Sequence, residues 1–187
     1  MEVKPDVRKL SDIKKVIFDQ QWLKTAQDSD LYYMYRGVKK KNDLRYDITV
    51  IPPKMLGQEF VKTKGHYHSG KHGELYIVLK GEAIYLLQKQ EKNQIKDVYA
   101  VKAKKQDVIV VPPFYGHVTI NPGQRKLEMA NWMFDHCQSD YSFFEKMNGA
   151  CYFYTKKGWL KNKKYKKVPK LRFEKPLKKI PTNLSFL

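Results

Sequence analysis

Three of the five histidines in this 187-residue chain, His66, His68 and His72, fall within seven positions of one another, and Glu74 follows two residues later. Imidazole nitrogens beside a carboxylate are ligands for a divalent metal ion, provided that their spacing brings them to one point. A β-strand sends alternate side chains to opposite faces, so His66 and His68, one residue apart, share a face. Glu74 lies six residues beyond His68, across the loop-like SGKHG, and opens the apolar run ELYIVLKG, from which its carboxylate can return to the same face. His117 stands after the Pro-Pro turn of DVIVVPPFYGHVTIN, at the start of another strand-like run, and offers a fourth ligand. Three imidazoles and one carboxylate leave one or two positions of an octahedral ion open, which suits substrate or water better than a closed structural site. The set holds no thiolate, and Fe(II), Mn(II), Ni(II) and Zn(II) all fit it. His72 reads as a solvent-exposed loop residue and His136, beside Cys137, as structural; neither is assigned as a ligand.

The elements that would position these residues are strands. Runs rich in Val, Ile, Tyr and Thr occupy 31–38, 45–52, 59–68, 74–81, 82–90, 97–103, 107–113, 116–122 and 127–134, separated by Gly, Pro, Asn and Lys-rich turns. Closely spaced strands without intervening helices predict an all-β sandwich or barrel. Helical signals occur twice. Ser11 is a candidate N-cap for residues 12–27, with Ile13, Val16, Ile17 and Leu23 on one stripe. Ser139 or Asp140 could cap a short helix that stops at Gly149. Residues 150–168 read as a further hairpin with Lys156, Lys157 and Gly158 at its turn.

The chain is long enough for one domain with a sizeable core. No apolar stretch approaches the roughly 18–20 residues of a membrane-spanning helix, and the first fifteen residues have no signal-peptide character, so a cytoplasmic protein is expected. Cys137 and Cys151 are too few for a disulfide framework and are expected as buried thiols. The formal charge of +18 is uneven: between 156 and 179, twelve Lys and Arg residues face a single Glu174. The expected organisation is therefore a domain over 1–155, including an N-terminal extension, with a basic C-terminal segment over 156–187 packed on it or extending from it. Such a run is either a solvated face or a site for nucleic acid or another polyanion.

Gly65, His66, His68, Glu74 and Gly81 resemble the first cupin motif, with a slightly long gap between His68 and Glu74. Pro112, Pro113, Gly116, His117 and Asn121 resemble the second. More closely, segments 7–12, 48–68, 74–81 and 108–117 resemble the cupin-type glucose-6-phosphate isomerases of archaea, over about residues 7 to 145. The resemblance implies a single cupin (jelly-roll) β-barrel with a short N-terminal helix and a short helix after the barrel. It also implies a homodimer with one divalent ion per chain, iron foremost and Mn, Ni or Zn as alternatives. The implied ligands, His66, His68, Glu74 and His117, agree with the reading from spacing. The family's phosphate contacts fall on Thr49, Thr63 and Gly65: two hydroxyl donors, and a glycine whose N–H can approach an anion closely. Tyr76 matches a tyrosine that contacts the sugar hydroxyls, and Tyr141 one beside the substrate. Strand parity puts Lys64 on the face opposite Thr63, as a solvated charge.

Two positions depart from the family. Met133 stands where a tyrosine is common and Ser139 where a histidine is, with His136 as a candidate replacement imidazole. The implied activity is metal-dependent interconversion of glucose 6-phosphate and fructose 6-phosphate. In it Glu74 removes the C2 proton, or acts purely as a ligand if a hydride shifts between C1 and C2, and Tyr76 assists. The alternatives are a cupin acting on another phosphosugar, and a non-catalytic metal- or sugar-binding sensor whose basic tail binds a polyanion.

Overall fold

The computed structural model describes residues 3–92 and 94–187. β-Branched and aromatic side chains fit a pleated, half-buried surface, and strands form in nearly all the runs the sequence predicts. They are β1 (Asp6–Lys9), β2 (Asp30–Lys41), β3 (Leu44–Ile51), β4 (Met55–Leu56), β5 (Glu59–Phe60), β6 (Tyr67–His68), β7 (Glu74–Lys80) and β8 (Glu82–Glu91). They continue as β9 (Gln94–Lys104), β10 (Val108–Val111), β11 (Tyr115–Ile120), β12 (Leu127–Phe134), β13 (Ser139–Asp140), β14 (Tyr152–Thr155), β15 (Gly158–Lys161) and β16 (Arg172–Glu174).

One sheet runs β1-β2-β3-β12-β7-β10 and a second β11-β8-β9-β16. Between β7 and β12 the chain passes to the second sheet for β8 and β9, returns for β10, crosses for β11 and returns again. That alternation between two sheets is the jelly-roll pattern of an all-β cupin fold. The main pairings are antiparallel, while β16 lies parallel to β9. The predicted hairpin forms as β14 and β15, turning at Lys156–Lys157. Cys137 and Cys151 are free and buried. Among the described residues no helix is long and apolar enough to cross a membrane.

β8 is buried on both faces from Ala83 to Gln88, because the chain after α3 (Ser142–Lys146) folds back over the second sheet. Gln88 ties the two layers together: its Nε2 donates to the hydroxyls of Tyr67 (3.0 Å) and Tyr165 (3.3 Å), and its Oε1 accepts from Cys151 N at 2.8 Å. Gln88→Leu keeps the volume but strands these buried groups. It is expected to lower unfolding stability by about 2–3 kcal/mol, measured as a shift in the urea midpoint.

The N-terminal helix does not form as one piece. α1 (Leu10–Ile13) gives way to a 3-10 turn at Lys14–Val16 and an extended Ile17, and α2 (Gln20–Leu23) then starts afresh. The expected stripe is still buried at Ile13, Val16 and Ile17. What breaks the helix is a tertiary competitor. The buried Lys62 Nζ donates to Val16 O (2.8 Å), and the buried Glu59 Oε1 accepts from Phe18 N (2.5 Å). These are backbone groups that a continuous helix would pair internally. Ser11 is not the cap; its hydroxyl donates to Asp28 Oδ2 at 2.9 Å. After the second motif, Ser139 and Asp140 form β13 against β6, and Asp140 Oδ1 accepts from Ser142 N (2.8 Å) to start α3.

Candidate metal centre and substrate cavity

Segment 61–68 is less regular than the predicted strand: it has bridges at Lys62↔Ile120 and His66↔His117 and only Tyr67–His68 as strand. His66 and His117 are nevertheless held opposite each other by reciprocal backbone bonds, His66 N to His117 O at 3.3 Å and His117 N to His66 O at 3.0 Å. β7 delivers Glu74 from the facing sheet, with Met133 of β12 as its register partner. His66, His68, Glu74 and His117 thus each offer one ligand atom, all within 4.8 Å of one another.

The chemistry of these atoms fits a divalent cation. Nε2 of His68 and Nε2 of His117 both lie 3.2 Å from Glu74 Oε2. His68 Nε2 and Glu74 Oε2 are buried without hydrogen-bond partners, an arrangement that costs free energy unless something binds there. Burial, reinforced by the neighbouring His117 and His68, holds His66 well below the usual imidazole range, and so neutral. Burial favours the neutral form of Glu74 too, but the imidazoles of His117 and His68 outweigh it and hold the carboxyl well below its ordinary value. A neutral imidazole and an ionised carboxylate are the forms that ligate a metal.

The cluster opens into a cavity lined by Thr49, Thr63, Gly65, Tyr76 and Tyr141, together with His66, Glu74 and His117. Every substrate-contact residue implied by the resemblance therefore lies in one cavity, and His68 sits just behind its wall. Gly65 has φ +81°, and a Cβ on it would lie 2.6 Å from Val118 Cγ2, so a side chain there would strain this turn. Tyr76 Oη is 3.1 Å from His117 Nε2. Burial, then the Glu74 charge, keep its phenol protonated far above neutral pH. Met133 and Ser139, the two departures, line the same cavity.

Three expectations need correction. Lys64 is not solvated: residues 63–65 form no strand, so parity does not apply there, and Lys64 lines the cavity beside Thr63 with only 13% of its side chain exposed. Its Nζ is 2.6 Å from Glu145 Oε1 and 4.9 Å from the centre of the Tyr141 ring. With Lys15 also bonded to it, Glu145 is drawn down to about 2. His136 is exposed and packs edge-on against Phe134, away from the cavity, so it does not replace the imidazole that Ser139 lacks. His72 is half-buried, stacked on Phe134 at 4.4 Å.

The sequence reading also missed Tyr32, Met34 and Arg36 on β2, Asp47 on β3, and Met129 and Asn131 on β12, all of which line the cavity. Parity was the available signal, since Asp47 is two residues from Thr49, and Asn131 two from Met133. Asp47 accepts from Gly37 N (2.7 Å) and Arg45 Nε (3.0 Å), with Arg36 Nη1 at 3.7 Å. The basic segment contributes elsewhere: Lys164, Lys166 and Lys167 line a separate groove with Lys92 and Lys146.

The glucose-6-phosphate isomerase of Thermococcus litoralis is 36% identical over 128 residues, covering 65% of this chain and 65% of that protein. The enzyme of the same name from Pyrococcus abyssi is 37% identical over 123 residues, covering 63% of each. The chain thus spans slightly less than two thirds of the length of these relatives. Among solved structures, the Cnp3 cupin domain of Schizosaccharomyces pombe aligns at a TM-score of 0.42 and 11% identity, covering 68% of this chain and 79% of that one, a level at which the likeness carries no further conclusion. The match that decides the matter is to the family model "Glucose-6-phosphate isomerase (GPI)", which takes in residues 7–170, both histidine motifs and every cavity residue named above; this chain belongs to that family.

Proposed function

We propose that this chain is a metal-dependent isomerase interconverting glucose 6-phosphate and fructose 6-phosphate. The observation that carries the reading is the convergence of the four-ligand cluster with Thr49, Thr63, Gly65, Tyr76 and Tyr141 around one cavity, in a chain of this family. A divalent ion held by His66, His68, Glu74 and His117 would supply Lewis-acid stabilisation of the negative charge that develops on the sugar's C1 and C2 oxygens. Iron is the ion we assign, and a cytoplasmic homodimer the state; both rest on the family resemblance. For the domain organisation we keep one cupin unit over 1–155 with 156–187 packed on it, supported by the pairing of β16 with β9.

The chain's own groups have distinct tasks. Glu74, ionised, removes the C2 proton of the open-chain sugar and returns it at C1. Asp47 is the other acid at the cavity, but Gly37 N and Arg45 engage both its oxygens, so it is not the base. Tyr76, held protonated, donates a hydrogen bond to the sugar oxygens. The hydroxyls of Thr49 and Thr63 and the N–H of Gly65 receive the phosphate, and Arg36 and Lys64 supply positive charge at the same wall. Tyr141 closes the side over His66, with ring centroids 5.6 Å apart.

Met133 and Ser139 in the cavity favour one second reading, a different phosphosugar of the same size. A substrate panel separates the two. Conversion of fructose 6-phosphate to glucose 6-phosphate in preference to other ketose and aldose phosphates supports the first reading. Preference for another phosphosugar moves the assignment to the second, and no conversion of any of them removes the isomerase reading.

A further inference from the structure

Residues 171–187 lie beyond the stretch that the family model matches, yet they are tied to the fold along their length. β16 pairs with β9. Leu177 then exchanges both backbone bonds with Val108, at 2.8 and 2.9 Å, and Lys178 Nζ lies 2.5 Å from Asp107 Oδ1. Further on, Phe186 O accepts from Gly73 N at 2.5 Å, and Leu187 O lies 3.0 Å from His72 Nδ1. These last two contacts fall on the loop between β6 and β7, the only covalent link between His68 and Glu74.

That loop acts on a metal ligand. The His72 carbonyl lies 3.2 Å from His68 Nδ1. A carbonyl only accepts, so this bond places a proton on Nδ1 and turns Nε2 toward Glu74 Oε2 and the cluster. The position of the His72 carbonyl is set from two sides: its ring stacks on Phe134 with planes 9° apart, and the tail holds its Nδ1. Gly73 permits the approach; a Cβ there would lie 2.5 Å from Val111 O and 2.9 Å from the Phe186 ring.

We propose that residues 184–187 form a strap that holds the His68 ring in its ligating position through the His72 carbonyl. Bound to His72 and Gly73, the strap makes His72 a positioning residue for a metal ligand, in a segment outside the family's matched region. The inference rests on the metal-site reading above but not on the identity of the sugar.

The test compares three metal-free proteins: the full chain, a chain ending at Asn183, and full-length His72→Phe. The last keeps an aromatic ring on Phe134 while losing the bond to Leu187. Long-range 15N–1H NMR reads the Nδ1–H of His68 and its hydrogen bond, and competition with a chromophoric chelator reads Mn(II) and Zn(II) affinity. The expected result is a hydrogen-bonded Nδ1–H on His68 in the full chain, loss of that bond in both variants, and metal binding weakened about 10-fold. An unchanged Nδ1–H hydrogen bond together with affinity within about two-fold in His72→Phe overturns the strap, whether or not the shortened chain folds. The sugar assay is separate. If the variants lose the Nδ1–H hydrogen bond and metal affinity and the full chain converts no phosphosugar, the strap stands and the isomerase reading falls; turnover by the full chain with neither change in the variants leaves the isomerase and removes the strap.

Discussion

Glu74→Gln is expected to lower kcat/KM for fructose 6-phosphate by about 10³-fold, most of it in kcat. The substitution keeps the shape of the side chain and one of its oxygens, and removes only the charge and the basicity. Glu74 is the single ionised acid at the cluster whose oxygen is not already committed to a hydrogen bond: Oε2 is buried, 3.2 Å from His68 Nε2 and from His117 Nε2, and without a partner. Three imidazoles remain in the variant, so metal is expected to bind at saturating ion, more weakly. Metal content measured beside kcat therefore separates the two roles of this residue. Loss of turnover in metal-loaded protein marks Glu74 as the base. Turnover within about ten-fold of the parent, once metal is restored, assigns it to ligation alone and points to a hydride shift between C1 and C2.

Lys62→Met is expected to destabilise the fold by about 3–5 kcal/mol without touching the cavity. Lys62 and Glu59 form an ion pair 2.5 Å apart, with both side chains almost fully buried. Burial raises the Glu59 carboxyl and lowers the Lys62 ammonium even in the intact pair. Removing Lys62 leaves an unpaired buried carboxylate and frees Val16 O, so the clip on residues 16–18 opens. The pH dependence follows from the sign of the Glu59 shift. A carboxyl raised in the folded state contributes stability below its unfolded value and loses it as pH rises through its folded value. The variant's deficit is therefore smallest in mild acid, where Glu59 is protonated, and largest at neutral pH and above. Urea titrations across that range check the slope, and Lys62→Met combined with Glu59→Gln is expected to recover most of the loss. A deficit independent of pH, or a double variant no better than the single, contradicts this account of the pair.

The residues that could be read from the sequence are those whose chemistry depends on local spacing. The HxH pair, the glutamate at the head of a strand and the PPxxGH turn locate the ligands, because each sits at or beside a strand whose alternation is encoded in a few neighbouring residues. The two-sheet class was legible for the same reason. What failed was inference across a backbone irregularity or over a long contact. Strand parity puts Lys64 on the wrong face because residues 63–65 form no strand and the alternation does not run through them. The helix over 12–27 was broken by Glu59 and Lys62, residues more than forty positions away from the backbone groups they capture. Arg36 reached the cavity only through the pairing of β2 with β3, a register that no local pattern states. Met133 and Ser139 stand out in the sequence as departures, and both line the cavity.

The most direct test of the central claim is turnover of fructose 6-phosphate by protein stripped with chelator and reloaded in turn with Fe(II), Mn(II), Ni(II) and Zn(II), run in D₂O and followed by proton NMR. The account predicts no turnover in the stripped protein, glucose 6-phosphate on reloading with at least one of these ions, and deuterium at C2 of the product. Turnover that survives complete removal of metal, or metal-loaded protein that converts no fructose 6-phosphate with any of the four ions, would contradict it.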